Sequence, residues 1–517
     1  MNPGSLTREP HPLANRRVLF LPKNSRTPYF AALLAAARRE FGWQVAVVGP
    51  ARHAAAWREA ADSLTEPPEF SAPQSWESDK VRCAAVDAFI AACESATGTS
   101  AGRIILAGER DLGRGFSRGN FHWFHNKMAR RVLQDTAEPA RIVRRIFAFA
   151  KETLEKTRPD LVLAGEWADP LCFAFSLAAR EMGIPCVVNR QSKLWSGRCY
   201  WSADPLMYNE AARERATMLR AATAPVQERS KQHIAEFRSR PKTLGYVQHN
   251  WNAIDRRGWL FEHIDFARLL AAQLRYHIAG RSGPTPKPAL RVLGGFYRRS
   301  YLRLRQVRLF RRISEEELAK KRYIYVAMHK DPEQALNYQA PFWSNQYSTV
   351  SLLAGLLPDG FSLLVREHRN NRGRRPTRYY KDLRRLPGVV LIDGLDDQFK
   401  YIRNAELVVS ENGTSGWEGL LLSRRVIVLD RCFYSAAGLA RHVTEPGALA
   451  EIVLEMLRQP PTLDARQHDL NLGWILDAEW QTSVPVDEPT SAANFDLLAA
   501  VLHKPAMGRR ETIAVSA

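Results

Sequence analysis

Gly413, Thr414, Ser415 and Gly416 stand together between two apolar runs, Leu407–Ser410 and Val426–Leu429, with Trp417 and Glu418 directly behind them. A strand, a glycine-hydroxyl turn and a helix in that order make an anion site. The first turn of a helix leaves backbone N–H groups without intrahelical acceptors and carries partial positive charge. Gly413 and Gly416 allow close approach of a phosphate, and Thr414 and Ser415 can cap the helix and donate hydroxyl hydrogen bonds. Glu418 has the wrong charge for a phosphate. One turn into the helix, its carboxylate can instead accept from ribose hydroxyls. Phosphate plus ribose points to a nucleotide. The pattern is neither GxGxxG nor the P-loop GxxxxGK, which disfavours dinucleotide and ATPase readings. The plainer alternative is a capped helix, although the Thr414–Glu418 spacing is one residue too long for a capping box.

Two more apolar runs end in polar groups. FSLLVREH (Phe361–His368) closes on Arg366, Glu367 and His368, with Arg369, Arg372, Arg374 and Arg375 beyond. YIYVAMH (Tyr323–His329) leads into Lys330, Asp331 and Glu333. If these strands run parallel to Leu407–Ser410, both histidines reach the sheet edge that carries the Gly-Thr-Ser loop. A histidine there binds a phosphate as imidazolium or protonates a leaving oxygen. In the N-terminal half, DLVLAGE (Asp160–Glu166) puts Glu166 at a strand end as a candidate acid/base or nucleophilic carboxylate, with Asp169 as the second candidate. The alternative role for Glu166 is a helix-dipole partner. Arg198, in the basic segment after the run Ile184–Arg190, is a candidate contact for an anionic acceptor.

The elements that must position these groups alternate. RVLFLP (Arg17–Pro22), WQVAVVGP (Trp43–Pro50), RIILAGERD (Arg103–Asp111), DLVLAGE and IPCVVNR read as strands, with helices over Tyr29–Phe41 and Pro170–Met182. The second half repeats the pattern with Tyr323–His329, Phe361–His368, Val389–Asp393, Leu407–Ser410 and Val426–Leu429, and helices over Trp343–Leu357, Gln398–Asn404, from Trp417, and over Leu449–Leu457. Strands alternating with helices predict parallel sheets covered on both faces, and such sheets bind ligands beyond the carboxyl ends of their strands. The fold class expected is α/β: two doubly wound Rossmann-like domains facing a cleft, with a helical basic connector. The boundaries expected are 1–205 for an acceptor-side domain, 206–321 for the connector, 322–460 for a nucleotide-sugar domain, and 461–517 for a tail partly packed back or flexible.

Composition narrows the class. With 517 residues the chain exceeds one compact core, and 45% hydrophobic with 25% charged residues excludes a largely disordered chain. No apolar run reaches the roughly eighteen residues of a membrane span, and the N-terminus shows no signal-peptide core. The six cysteines form no CxxC pair and read as reduced core residues, so no zinc site or disulfide framework is expected. Lysine and arginine number 74 against 54 acids, giving +20. That excess fits an anionic partner or, equally, a generally basic surface. The densest run, YRRSYLRLRQVRLFRR within Arg291–Arg322, reads as a solvated helix face or as a membrane-surface patch.

HKDPE, PFWSNQ, LPDGFSLLVREH, LPGVVLID, NAELVVSENGTSGWEGLL and RRVIVLDRCFY, between Tyr323 and Tyr434, resemble the capsule polysaccharide biosynthesis family, which includes bacterial transferases of 3-deoxy-D-manno-oct-2-ulosonic acid (Kdo). LVLAGEWADP and AAREMGIPCVVNRQSKLWSGR give a weaker echo. In many members a proline follows the strand-end histidine, where this chain has Arg369. The resemblance implies a GT-B-like glycosyltransferase with the nucleotide sugar, CMP-Kdo among the options, in the C-terminal domain. It carries over to His329, Glu333, His368, Gly413, Thr414 and Glu418.

The reading reached from the sequence is a cytoplasmic glycosyltransferase of surface polysaccharide assembly. Gly413, Thr414 and Ser415 hold the phosphate, Glu418 takes the ribose, His329 and Glu333 line the donor site, and His368 neutralises leaving-group charge. Its partners are a nucleotide sugar, a glycan or lipid-linked acceptor and an anionic inner-membrane surface. Neither a nucleic acid, nor a metal, nor a cofactor beyond the donor is expected. Two alternatives remain: a sugar-nucleotide 2-epimerase of similar fold, and a non-catalytic basic protein that binds glycan or nucleic acid.

Overall fold

A computed structural model of the chain describes residues 11–22, 26–49, 54–68, 70, 74–102, 137–165, 170–204, 206–243, 259–278, 289–331, 335–434, 438–458 and 464–503. The expected strand Arg103–Asp111 and the candidates Glu166, Asp169 and Glu333 lie outside them. The chain divides into two units, one drawn from 1–101, 141–211 and 479–517, the other from 102–140 and 212–478.

The first unit is built on β1 (Arg17–Leu21), β2 (Gln44–Val48), β3 (Ser63–Thr65), β4 (Leu161–Ala164), β5 (Cys186–Gln191) and β6 (Arg198–Ser202). They lie in the order 3-2-1-4-5-6, β1 to β5 parallel and β6 antiparallel to β5. All four residues of β4 are buried, as expected for a strand covered on both faces. The helix Thr27–Phe41 lays Phe30, Leu33, Leu34 and Ala37 on this sheet, and Gly42 ends it in the left-handed region at φ 68°.

The end of the chain belongs to this unit. The short strand Val484–Pro485 pairs with β6, and the helix Ala492–His503 gives Phe495 and Leu498 to the same core. Buried Asn494 fixes it there, accepting from Trp201 Nε1 at 2.9 Å and donating to Tyr29 Oη at 3.1 Å.

The second unit carries β7 (Arg322–Ala327), β8 (Phe361–Arg366), β9 (Val389–Ile392), β10 (Leu407–Ser410), β11 (Val426–Leu429) and β12 (Arg441–Val443). All pairs are parallel, in the order β9-β8-β7-β10-β11-β12, again a 3-2-1-4-5-6 arrangement. The core packs Ile324, Val326, Leu363, Val365, Val409 and Ile427 against Trp343, Leu353 and Tyr380. The helix expected over Trp343–Leu357 runs over Gln346–Gly355, started by Asn345, whose side chain accepts from Ser348 N. The helix expected from Trp417 starts three residues earlier, at Thr414.

The arginine-rich segment belongs to the second unit from residue 212 onward. Its helix Ala289–Gln306 lies against the stretch after β8. Arg303 Nε donates to Arg372 O at 3.2 Å and Gln306 Nε2 to Arg375 O at 2.8 Å, while Gly373, at φ 70°, faces the Arg299 carbonyl too closely for any Cβ. Among the described residues no helix is long and apolar enough to cross a membrane.

Candidate functional site

In a 3-2-1-4-5-6 sheet the chain leaves β7 to one side and returns on the other as β10. The helices that follow these two strands diverge, leaving a crevice beyond their carboxyl ends. His329 follows β7, and Glu411, Asn412 and Gly413 follow β10. His368 follows β8, the other neighbour of β7. The strands are parallel, so all three ends share one sheet edge, as the sequence requires for these groups to cooperate.

The loop after β10 is held from inside. Ser410 Oγ accepts from Gly413 N at 3.2 Å, Ser415 Oγ bonds to Ser410 Oγ at 3.1 Å, and Tyr434 Oη donates to Gly413 O at 3.1 Å. The Ser415 hydroxyl is therefore turned inward and buried, unlike the outward donor expected from the sequence. Gly413 is the N-cap of the helix Thr414–Leu421, and no side chain caps that helix. Its leading N–H groups have no intrahelical acceptor, and Gly413 and Thr414 are partly exposed. The glycines also have packing reasons. A Cβ on Gly413 would lie 2.8 Å from His329 Nε2, and one on Gly416 would run into the Tyr434 hydroxyl.

His329 is clamped through its backbone. Its N–H donates to Gln346 Oε1 at 2.7 Å, and its carbonyl accepts from Asn371 Nδ2 at 2.9 Å and Arg375 Nη2 at 3.4 Å. The ring, set against Gly413, has its Nε2 3.9 Å from Glu411 Oε2. Glu411 is buried, and that oxygen has no hydrogen-bond partner among the described residues. Burial pushes its carboxyl up to about 7; His329 and Arg375 pull the other way and Asp331 adds to the rise. A carboxyl poised there beside an imidazole can exchange a proton near neutral pH.

His368 stands at the start of a turn, its Nδ1 accepting from Asn370 N at 3.1 Å. That bond leaves Nε2 to carry the proton in the neutral ring, so Nε2 is the donor. Beneath it, Glu367 Oε2 accepts from Tyr380 Oη at 2.7 Å and pairs with Arg375 Nε at 3.2 Å; Arg375 Nη1 also reaches Asp331 at 3.4 Å. Glu367, Arg375 and Asp331 are all buried. This ionic cluster ties the ends of β7 and β8 together and fixes the spacing of the two histidines.

Glu418 lies elsewhere than the ribose role requires. It is 1% exposed, accepting from Gln398 Nε2 at 2.8 Å, and its Oε1 has no hydrogen-bond partner among the described residues. Burial raises it to about 8, against the pull of Arg366 and Gln398. A carboxylate so enclosed does not reach a ribose in this conformation. Arg198 is likewise taken. It donates from Nε to Ser483 Oγ at 2.9 Å and from Nη2 to Trp480 O at 3.1 Å, with its guanidinium 4.0 Å from the Trp480 ring centre. It staples the returning end of the chain to β6 instead of facing an acceptor.

Sequence reasoning thus brought His329, His368, Gly413 and Thr414 to one edge, noted Arg375 without its role, and missed Glu411 and Tyr434. Glu411 was findable by the same rule that selected His329, since it directly follows a strand. Tyr434 carries no local signal, and nothing local separates Arg375 from Arg369, Arg372 and Arg374 beside it. Among the described residues no cluster of His, Cys, Asp and Glu is suited to hold a metal ion.

No protein-family model matches the chain. No curated protein matches it either. Among solved structures it is similar to the UDP-GlcNAc 2-epimerase from Neisseria meningitidis bound to UDP-GlcNAc, at 14% identity and TM-score 0.24 over 90% of this chain and 99% of that one. It is also similar to the spinosyn rhamnosyltransferase SpnG complexed with spinosyn aglycone, at 12% and 0.26 over 91% and 98%. The UDP-GlcNAc 2-epimerase from Methanocaldococcus jannaschii aligns at 10% and 0.24 over 87% and 97%. At such scores a likeness does not separate one family from another.

Proposed function

We propose that this chain is a nucleotide-sugar-dependent glycosyltransferase of GT-B type that builds a capsular or lipopolysaccharide-type surface polysaccharide from the cytoplasmic side. The observation that carries the reading is the meeting of an uncapped helix N-terminus at Gly413–Thr414 with His329 at the switch point of the second sheet, beside His368 on the next strand. The N–H groups at the start of the helix and the Thr414 hydroxyl hold the donor phosphate. His368, through Nε2, stabilises or protonates the departing phosphate oxygen. Glu166, with Asp169 as the second candidate, supplies the carboxylate on the acceptor side, and a glycan or lipid-linked sugar is the acceptor. The resemblance to the capsule polysaccharide family makes CMP-Kdo the first donor to test.

One observation favours a second reading. Burial raises the Glu411 carboxyl to about 7, and it lies 3.9 Å from His329 Nε2; a carboxyl that titrates near neutrality suits the acid–base chemistry a sugar-nucleotide 2-epimerase would need. A thermal-shift panel of sugar nucleotides, followed by product analysis with and without acceptor, separates the two. Conversion of the sugar nucleotide in the absence of acceptor establishes the epimerase; transfer only in its presence establishes the transferase. Stabilisation by no sugar nucleotide rejects both.

A further inference from the structure

The helices Trp259–Ile278 and Ala289–Gln306 pack on each other, with His263 Nε2 and Tyr297 Oη 2.8 Å apart. Each turns apolar side chains to solvent. On the first, Leu274 is 62% and Ile278 76% exposed, with Ile264 and Leu270 also exposed. At about 100° per residue these four fall within about 120° of the helix circumference, and Arg275 and Arg268 occupy about the next 40°. The second helix repeats the arrangement. Tyr297, Tyr301 and Leu304 share one narrow sector, Leu304 being 76% exposed, and Arg305 and Arg298 flank it.

An aliphatic stripe left in water has to be covered by something. The charge beside it selects the cover. Ala289–Gln306 holds five arginines and no acid, and Arg308, Arg311 and Arg312 follow. Trp259–Ile278 adds Arg268 and Arg275 but also Glu262 and Asp265, so the pair carries seven arginines against two acids, and a second copy of this face would set that excess of positive charge against itself. Phosphate headgroups would neutralise them, while the leucines and isoleucines enter the acyl boundary and the tyrosines settle at headgroup depth.

We propose that this helix pair docks the protein on an anionic lipid bilayer, lying in the plane of its surface. The inference is independent of the transferase reading: a sugar-nucleotide epimerase could carry the same surface. It places the second unit where a lipid-linked substrate would be met.

The test is flotation of the full chain with neutral phosphatidylcholine vesicles and with vesicles containing about 30% phosphatidylglycerol, at low and high salt. Binding to the anionic vesicles alone, lost at high salt, is expected. Each arginine near the surface contributes about fivefold, so a variant combining Arg275→Gln, Arg305→Gln and Arg308→Gln should bind roughly a hundredfold more weakly. Leu274→Glu with Ile278→Glu should abolish binding, with circular dichroism unchanged because both positions are exposed. Failure to bind anionic vesicles, or binding that both variants retain, overturns the proposal. Self-association that Leu274→Glu with Ile278→Glu dissolves, without vesicle binding, overturns it in favour of a second copy.

Discussion

Replacing Glu418 by glutamine removes an ionisable group from the interior of the second unit while keeping its shape. The carboxyl is raised from 4.5 to about 8, chiefly by burial. Arg366 pulls the other way by its charge without outweighing burial, its Nη donors reaching Gln398 Oε1 at 3.1 Å, Gly394 O at 2.7 Å and Asp396 O at 3.1 Å. In the unfolded chain the group titrates near its ordinary value, so the folded state binds the proton more tightly. Its contribution to stability is fully present below about pH 4.5 and lost as pH rises through about 8. At 1.36 kcal/mol per unit the ionised carboxylate costs the fold roughly 3–5 kcal/mol by pH 9. Glutamine cannot ionise. Glu418→Gln should melt within about 2 °C of wild type at pH 5 and roughly 5–10 °C higher at pH 9. Glu411 titrates in the same direction, so the measured quantity is the difference between variant and wild type in melts from pH 5 to 9. A variant less stable than wild type at pH 9 would refute the reasoning, since the ionised carboxylate would then be sustaining the fold through Arg366.

Three further outcomes are expected. Gly413→Val should abolish nucleotide-induced stabilisation by driving its side chain into the His329 ring; adding His329→Ala should relieve the clash, seen as recovered melting temperature, without restoring nucleotide binding. Arg198→Ala should lower the melting temperature of the first unit by removing hydrogen bonds worth about 1–3 kcal/mol, and leave acceptor KM unchanged; a KM rise with unchanged melting would return this residue to the acceptor. His368→Ala should weaken donor binding and cut turnover about 100- to 1,000-fold, whereas Glu166→Gln should cut turnover alone. Near wild-type transfer by Glu166→Gln would leave that carboxylate a helix-dipole partner and send the search to Asp169.

Much of the second unit was legible because parallel strands buried on both faces are continuous apolar runs, and each announces itself over a few residues. The polar groups at their carboxyl ends, His329, His368 and Gly413–Thr414, follow from the same runs once the strands are taken as parallel. What the sequence could not determine is which way a side chain turns and who meets it. Ser415 was read as a phosphate donor, and its hydroxyl bonds Ser410. Glu418 was read as a ribose acceptor, and the helix rotation that starts at Thr414 carries it inside to Gln398. Arg198 was read as an acceptor contact, and residues 480–483, nearly three hundred positions away, occupy it. The end of the chain, expected as a tail partly packed back or flexible, supplies Phe495 and Leu498 to the core of the first unit, a partner the sequence does not name. Local periodicity decides where strands and helices form, because it depends on neighbours along the chain. The protonation of Glu411 and Glu418, the partners of Arg375 and the reason for glycine at 413 depend on burial and on groups brought together only by folding, and so they belong to the tertiary structure.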